Sequence, residues 1–306
     1  MKGTLALYTT VYPGVEPYLP DWYRSVQEQT DQDFRLWMGL DTISVNAVRD
    51  VLGVDPKAVW VAAPAGDTPA QVRQRALAKI VGAHEAVVLV DSDDILYPSR
   101  VASARAALRE SDVAVCALRV VNGEGQDLGV TFALPSSGGA DAVLPRNNIF
   151  GLSNSSYRST VLRRCLPIPG DAMLVDWYLA TLAWLLGARF HADSEVGMAY
   201  RQHGANTARV LPPFDSAQVA RDTDRVRGHF ARVQSAPLPT AAAGRLNEVG
   251  AAAAEVDAFY RQVVLQPAVF DRYLKDLNVL APAPYWWACV AHPALRELWA
   301  PARSLS

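Results

Sequence analysis

The densest chemistry in this chain is Asp91-Ser92-Asp93-Asp94, three carboxylates within four residues. Like charges this close repel, and a divalent cation relieves the repulsion; hard oxygen ligands suit Mg2+ or Mn2+. Such an ion could bridge the phosphates of a substrate and neutralise the charge that develops on a leaving diphosphate. The same tetrapeptide could equally be a strand-to-helix turn in which one aspartate caps a helix beginning near Pro98. Cys116, Cys165 and Cys289 are odd in number and far apart, so they build neither a disulfide framework nor a zinc knuckle and fit a reducing interior.

Ala86-Val87-Val88-Leu89-Val90 runs straight into the acidic cluster and has the pattern of a central parallel strand buried on both faces. Before it, the pattern predicts strands over 5–11, 34–40 and 58–63, and helices over 18–29, 44–52 and 68–81. Tyr12-Pro13-Gly14 closes the first strand, Ser44 is a candidate N-cap, and Pro69 falls in a first helical turn. This β-α-β alternation implies a doubly wound α/β sheet, whose ligands bind at the carboxyl ends of the strands. After the cluster the pattern predicts a helix over 99–110, a strand over 113–121, a loop over 122–148, a helix over 173–187 and a short strand over 195–201. From about residue 215 only helices follow, with Pro212-Pro213 as the boundary, so the expected division is 1–212 and 213–306. The run of alanines at 251–254 is helix filler.

Half of the 306 residues are hydrophobic and a fifth are charged, which excludes a disordered chain, a collagen repeat or a pure coiled coil. With 29 basic and 31 acidic residues there is no global positive field to hold nucleic acid. The start, Met1-Lys2-Gly3-Thr4, lacks the apolar region of a secretory signal, and the apolar run at 179–186 is far too short for a membrane span. A cytoplasmic protein, at most peripheral at the inner face of a membrane, is expected.

Residues 87–97, centred on Asp91, Ser92 and Asp93, resemble the DxD segment of family 2 glycosyltransferases with the GT-A fold. Four further segments agree in order and spacing. Thr9-Thr10-Val11-Tyr12, followed by Tyr18-Leu19 and by Ser25-Val26-Gln27-Glu28-Gln29-Thr30, is similar to the family's nucleotide-binding opening. Residues 66–77, with Arg73, resemble a stretch that usually carries an Arg-Asn pair. Val175-Asp176-Trp177-Tyr178-Leu179 is similar to the acidic helix start that supplies the catalytic base, and Tyr200-Arg201-Gln202-His203-Gly204 to a late Tyr-Arg-x-His-Gly signature. The likeness spans roughly residues 4–210.

The resemblance implies a GT-A-like doubly wound mixed sheet with a Rossmann-like nucleotide-binding half; it leaves the C-terminal third unexplained, where the pattern alone predicts a helical extension. It implies an inverting transfer from a nucleotide-diphosphate sugar, a UDP-sugar first among them, to a hydroxyl of a glycan or lipid-linked acceptor; the sequence holds no Gln-x-x-Arg-Trp segment of the kind processive synthases carry and no run long enough for a membrane span, which favours a non-processive enzyme. By that likeness Asp93 and His203 hold Mn2+ or Mg2+, while Thr10, Tyr12, Asp41, Arg73, Asp91 and Ser92 bind the nucleotide sugar. Asp176 is the base, and Asn154 and Trp177 face the acceptor. Five of these have a plainer alternative: Asp176 an N-cap, Arg73 a solvated helix face, Asp41 a turn residue, His203 a loop histidine, Asn154 part of a polar surface loop at 145–158. The chain departs from the family's pattern at Asp41-Thr42-Ile43-Ser44, where Asp-Asp-Gly-Ser is usual, at Gln74 after the arginine, and at Val175 before the aspartate. A degenerate transferase serving as a scaffold, or a sugar nucleotidyltransferase, would share much of this pattern; no Gly-rich, lysine-bearing phosphate loop favours the latter. Trp286, Trp287 and Trp299, beside Arg296 and Arg303, could dock a membrane interface, form a homodimer contact or pack inward. The prolines at 282, 284, 293 and 301 break any long amphipathic helix there and favour packing.

Overall fold

The computed structural model describes residues 4–135, 139–204 and 206–300; Met1, Lys2, Gly3, Pro301 and Arg303, named above, lie outside them. The first half alternates β1 (Leu5–Val11), α1 (Leu19–Gln27), β2 (Phe34–Leu40), α2 (Val45–Leu52), β3 (Ala58–Ala62), α3 (Pro69–Ala83) and β4 (Ala86–Leu89). Next come β5 (Ile95–Leu96), α4 (Arg100–Ala107), β6 (Val113–Val121), β7 (Asp127–Phe132), α5 (Gly139–Val143), β8 (Ser155–Arg158), α6 (Ser159–Arg164), α7 (Val175–Leu185) and β9 (Phe190–Arg201). The rest is helical: α8 (Ser216–Gln234), α9 (Ala243–Phe259), a π-helical turn Tyr260–Val264, α10 (Pro267–Leu277) and a 3-10 turn Pro293–Leu298.

The strands make one sheet in the order β3-β2-β1-β4-β8-β6-β9-β5, with β7 beside β6. β1 pairs parallel with β2 and β4, while β8 runs antiparallel between β4 and β6. The sheet is therefore mixed, and β4 is parallel to only one of its neighbours. Side chains alternate faces along each strand. Leu5, Leu7, Met38 and Val88 pack with Trp22 of α1, Val48 of α2 and Val101 of α4. Ala6, Tyr8, Val87 and Leu89 pack on the other face with Leu77 and Ile80 of α3 and with α7. Two covered faces explain why β1 and β4 are apolar at consecutive positions.

Several local signals set the element ends. Ser44 caps α2 by accepting the Ala47 N–H at 3.1 Å. Thr68 and Gln71 form a reciprocal capping box at the start of α3, with Pro69 in the first turn. α1 stops at Gln27, short of the expected 29; the Ser25 carbonyl, which a continuing helix would give to the Gln29 backbone N–H, takes the Gln29 side chain instead. Its amide donates to the Ser25 and Tyr97 carbonyls at 2.9 Å each and accepts the Val101 N–H at 3.0 Å. That glutamine clamps α1 to the segment following the acidic cluster.

The expected loop over 122–148 contains β7 and α5, and β9 begins at Phe190 rather than 195. The C-terminal helices share the core of the sheet's second face. Phe230 of α8, Val256 of α9 and Tyr273 of α10 belong to the same apolar cluster as α3 and α7.

Candidate active site

The carboxyl ends of β1, β2 and β4 open onto a cavity of about 530 Å³. The acidic turn that follows β4 sorts its side chains by depth. Ser92 is fully buried and donates to the Thr10 carbonyl at 2.7 Å, tying the turn to β1. Asp94 is also buried; its carboxylate accepts the Ser153 hydroxyl and the Arg201 N–H. Arg201, itself 2% exposed, donates to the Asp93 carbonyl at 2.8 Å and the Gly123 carbonyl at 2.6 Å, and lies over the Tyr18 ring. With Ser92 and Asp94 spent on holding the turn, Asp91 and Asp93 are left to line the cavity. The helix-cap alternative fails, because α4 begins at Arg100 with Ser99 as its N-cap residue.

Burial pushes the Asp91 carboxyl up to about 6 against the opposing pull of Arg73, and pushes Asp94 well above the usual range, helped by Asp93 and Asp91. A group of carboxylates this costly to ionise is stabilised by added positive charge. The Asp93 Oδ2 accepts the Tyr12 hydroxyl at 3.2 Å and lies 3.0 Å from the Nε2 of His203, which stacks on Tyr18. Among the described residues no three metal-ligating side chains converge. Asp93 with its neighbour His203 therefore fits a hard cation of the Mg2+ or Mn2+ type only where phosphate oxygens and water complete the shell, the usual way Mg2+ is held.

Arg73 is one turn into α3, on the cavity side. Its guanidinium is 3.6 Å from Asp91 and only 17% exposed, so the solvated-face alternative is overturned. The same helix end pins the loop that leads to α7: Thr68 donates to the Gly170 carbonyl, and Gln74 accepts the Ile168 N–H at 2.7 Å. Asp41, just past β2, and Thr10 and Tyr12, at the end of β1, line the same cavity. Thr42 beside Asp41 has φ +53, a left-handed conformation that costs a β-branched residue about 1–2 kcal/mol.

Asp176 also lines the cavity, as the second residue of α7. The N-cap residue is Leu174, which corrects the capping alternative. Asp176 Oδ2 accepts the Asn148 amide at 2.8 Å. Burial raises its pKa, opposed by the Trp177 N–H, by Asn148 and by the charge of Arg73. Asn148 is itself fully buried; its Oδ1 accepts the Phe150 N–H at 2.9 Å and its carbonyl accepts the Trp286 N–H at 3.0 Å.

Two expected acceptor residues lie elsewhere. Asn154 is 1% exposed and spends its amide on the Cys116 and Ile149 carbonyls at 3.1 and 3.0 Å. Trp177 is likewise 1% exposed and stacks on His229 with ring centroids 4.2 Å apart. Both are packing residues. Asn148, Ser153, Arg201 and Tyr200 also sit at or against the site without an expected role there; the last two lie in the late Tyr-Arg-x-His-Gly likeness, and the crowding of polar residues over 147–155 was the one signal for the first two. Trp286, Trp287 and Trp299 are buried and present no face to a membrane; Trp299 packs inward, while Trp286 and Trp287 line the cavity wall.

No protein-family model matches the sequence, and no curated protein matches it either. Solved structures do. S. aureus TarS 1–349 in complex with UDP-GlcNAc superposes with a TM-score of 0.58 at 16% identity, over 89% of this chain and 78% of that one. The mannosyltransferase PcManGT from Pyrobaculum calidifontis, in complex with GDP-Man and Mn2+, also superposes at 0.58 and 16% identity, over 98% of this chain and 88% of that one. At such identities the likeness is one of fold, and the fold is that of a GT-A-type glycosyltransferase.

Proposed function

We propose that this chain is a metal-dependent, inverting glycosyltransferase of the family 2 type. It moves one sugar per event from a nucleotide-diphosphate sugar, a UDP-sugar foremost, to a hydroxyl of a glycan or glycolipid. The observation that carries this reading is that a carboxylate with a raised pKa, Asp176, shares one cavity with Arg73, Asp91 and Asp93 at the carboxyl ends of the parallel strands. The donors held by the two neighbours, UDP-GlcNAc in one and GDP-Man with Mn2+ in the other, support the substrate class.

The nucleotide lies against Thr10, Tyr12 and Asp41, with Asp41 accepting from the base. Ser92 acts from beneath, by fixing the turn to β1. Arg73 and Asp91 hold the ribose-phosphate end. Asp93, with His203 beside it, would hold the divalent cation, which when bound neutralises charge on the leaving diphosphate. Asp176 takes the proton of the acceptor hydroxyl as that oxygen attacks the anomeric carbon. The bond from that carbon to the diphosphate oxygen breaks on the opposite face, and its electron pair leaves with the diphosphate. One displacement inverts the anomeric configuration. General-base help of this kind contributes about 10²–10⁴ in rate.

Residues 1–212 form the catalytic unit and 213–306 a helical extension in this reading, set at the cytoplasmic side in bacterial surface polysaccharide synthesis. No helix among the described residues is long and apolar enough to cross a membrane. Calorimetric titration with UDP, GDP, dTDP and CDP, each with and without Mn2+, tests the reading. Binding of one nucleotide that needs Mn2+ and is lost in Asp93→Asn supports it. Failure of all four to bind would favour a catalytically silent scaffold.

A further inference from the structure

We propose that Trp287 is the residue on which the acceptor's sugar ring is seated, and that the C-terminal segment around Trp286 and Trp287 builds this subsite. The proposal rests on the glycosyltransferase reading above and assigns the residue that holds the acceptor within it.

The segment between α10 and the last 3-10 turn places two consecutive tryptophans in the cavity wall. Trp286 is the anchor. Its backbone N–H donates to the Asn148 carbonyl at 3.0 Å, and its ring stands edge-on to Phe132 and Tyr200, with centroids 5.1 and 5.4 Å away. It lies on the bare backbone of Gly151, where a Cβ would come within 2.7 Å of the indole. Trp287 then adopts φ +64, a region that residues with side chains rarely enter. Backbone strain of this kind persists where the surroundings hold it, and it concentrates at functional sites. Trp287 is 7% exposed and lines the cavity, and its indole N–H has no partner among the described residues.

The placement relative to Asp176 gives this wall its role. Asn148 takes the Trp286 N–H on its carbonyl and gives its amide to Asp176, so the tryptophan pair is one residue removed from the base. The donor end, with Tyr12, Asp91 and Asp93, comes from the ends of β1 and β4 instead. A pyranose presents C–H bonds on one face and hydroxyls around its rim. An indole offers the matching apolar face, and a neighbouring carboxylate takes the hydroxyl that reacts. An open-chain polyol offers hydroxyls but no such face.

The test measures transfer by the full chain, using as donors the glucose, galactose, mannose and N-acetylglucosamine conjugates of whichever nucleoside diphosphate binds in calorimetry. Acceptors are octyl glucopyranoside, octyl galactopyranoside and octyl N-acetylglucosaminide, against ribitol at the same concentration. At least one pyranoside is expected to exceed ribitol by about tenfold in kcat/KM. Trp287→Ala is expected to raise that acceptor's KM about tenfold while the donor Kd stays within about twofold, and Trp287→Phe to recover most of the loss. The retained donor Kd shows that the variant is folded. Equal or better use of ribitol, an unchanged acceptor KM in Trp287→Ala, or a weakened donor Kd in both variants overturns the subsite alone. Failure of the native chain to bind any donor overturns the glycosyltransferase reading and the subsite with it.

Discussion

A base that must take a proton near neutrality works best when its pKa approaches the surrounding pH. Burial moves Asp176 in that direction, against hydrogen bonds from Trp177 and Asn148 and the charge of Arg73. The folded chain then keeps this proton to a higher pH than the unfolded chain. Stability is therefore lost as pH rises from the ordinary carboxylate pKa through the raised one. Asp176→Asn is predicted to melt at a higher temperature than the native chain at pH 7, with the difference vanishing near pH 3; thermal melts at both pH values check this. In the native chain, the acid limb of the turnover–pH profile is predicted to lie above the ordinary aspartate pKa of about 4. His229 makes a second case. It is buried, neither ring nitrogen has a partner among the described residues, and burial pushes its pKa down to about 3. Here the unfolded chain binds the proton more readily, so stability falls as pH drops from about 6.5 toward 3. His229→Phe keeps the stack on Trp177, removes the unpaired polar group, and is predicted to add about 1 kcal/mol at neutral pH by chemical denaturation. The residues that line the cavity were legible where a local motif fixed them, as at Tyr12, Arg73, Asp91, Asp93 and Asp176. Asn148 was not told apart from Asn154, because a run of polar residues does not reveal which amide reaches Asp176 and which is consumed by backbone carbonyls.

At the scale of elements, the long apolar runs declared themselves. β1, β2 and β6 fall where hydrophobic patterning places them, since two covered faces demand apolar residues at consecutive positions. β8 escaped detection because its residues, Ser155, Ser156, Tyr157 and Arg158, lack an apolar run, yet it is paired on both sides by β4 and β6. β7 and α5 were missed in a stretch whose glycines and serines look like loop. Thr68 shows how one element reaches the chemistry. It caps α3 and also donates to the Gly170 carbonyl in the loop before α7. Thr68→Ala is predicted to cost about 1 kcal/mol of stability through the lost cap and to lower transfer without changing nucleotide affinity. Denaturant melts and calorimetry of the same variant check the two halves of that statement.

At the scale of the whole molecule, α7 explains why the C-terminal helices exist. Ten of its eleven residues are buried, and a helix apolar on every side needs a partner on every side. The sheet's flank covers part of it; His229 and Phe230 of α8 cover Trp177. The helical character of the C-terminal part was readable from composition and spacing. That it completes the core and lends Trp286 and Trp287 to the cavity was not, because sequence separation hides contacts made across the fold. A chain ending at residue 212 is predicted to lack a cooperative melt, since it exposes that face of α7; a cooperative transition at the native temperature in calorimetry would contradict this.

The central claim is that Asp176 is the base of a transfer whose donor is held by other groups. The most direct measurement is the rate of sugar transfer by Asp176→Asn, with donor affinity determined on the same preparation. Donor affinity within about twofold of native and a transfer rate lower by a factor of about 10²–10⁴ is the predicted result. Native turnover in this variant, with donor bound, would contradict the account.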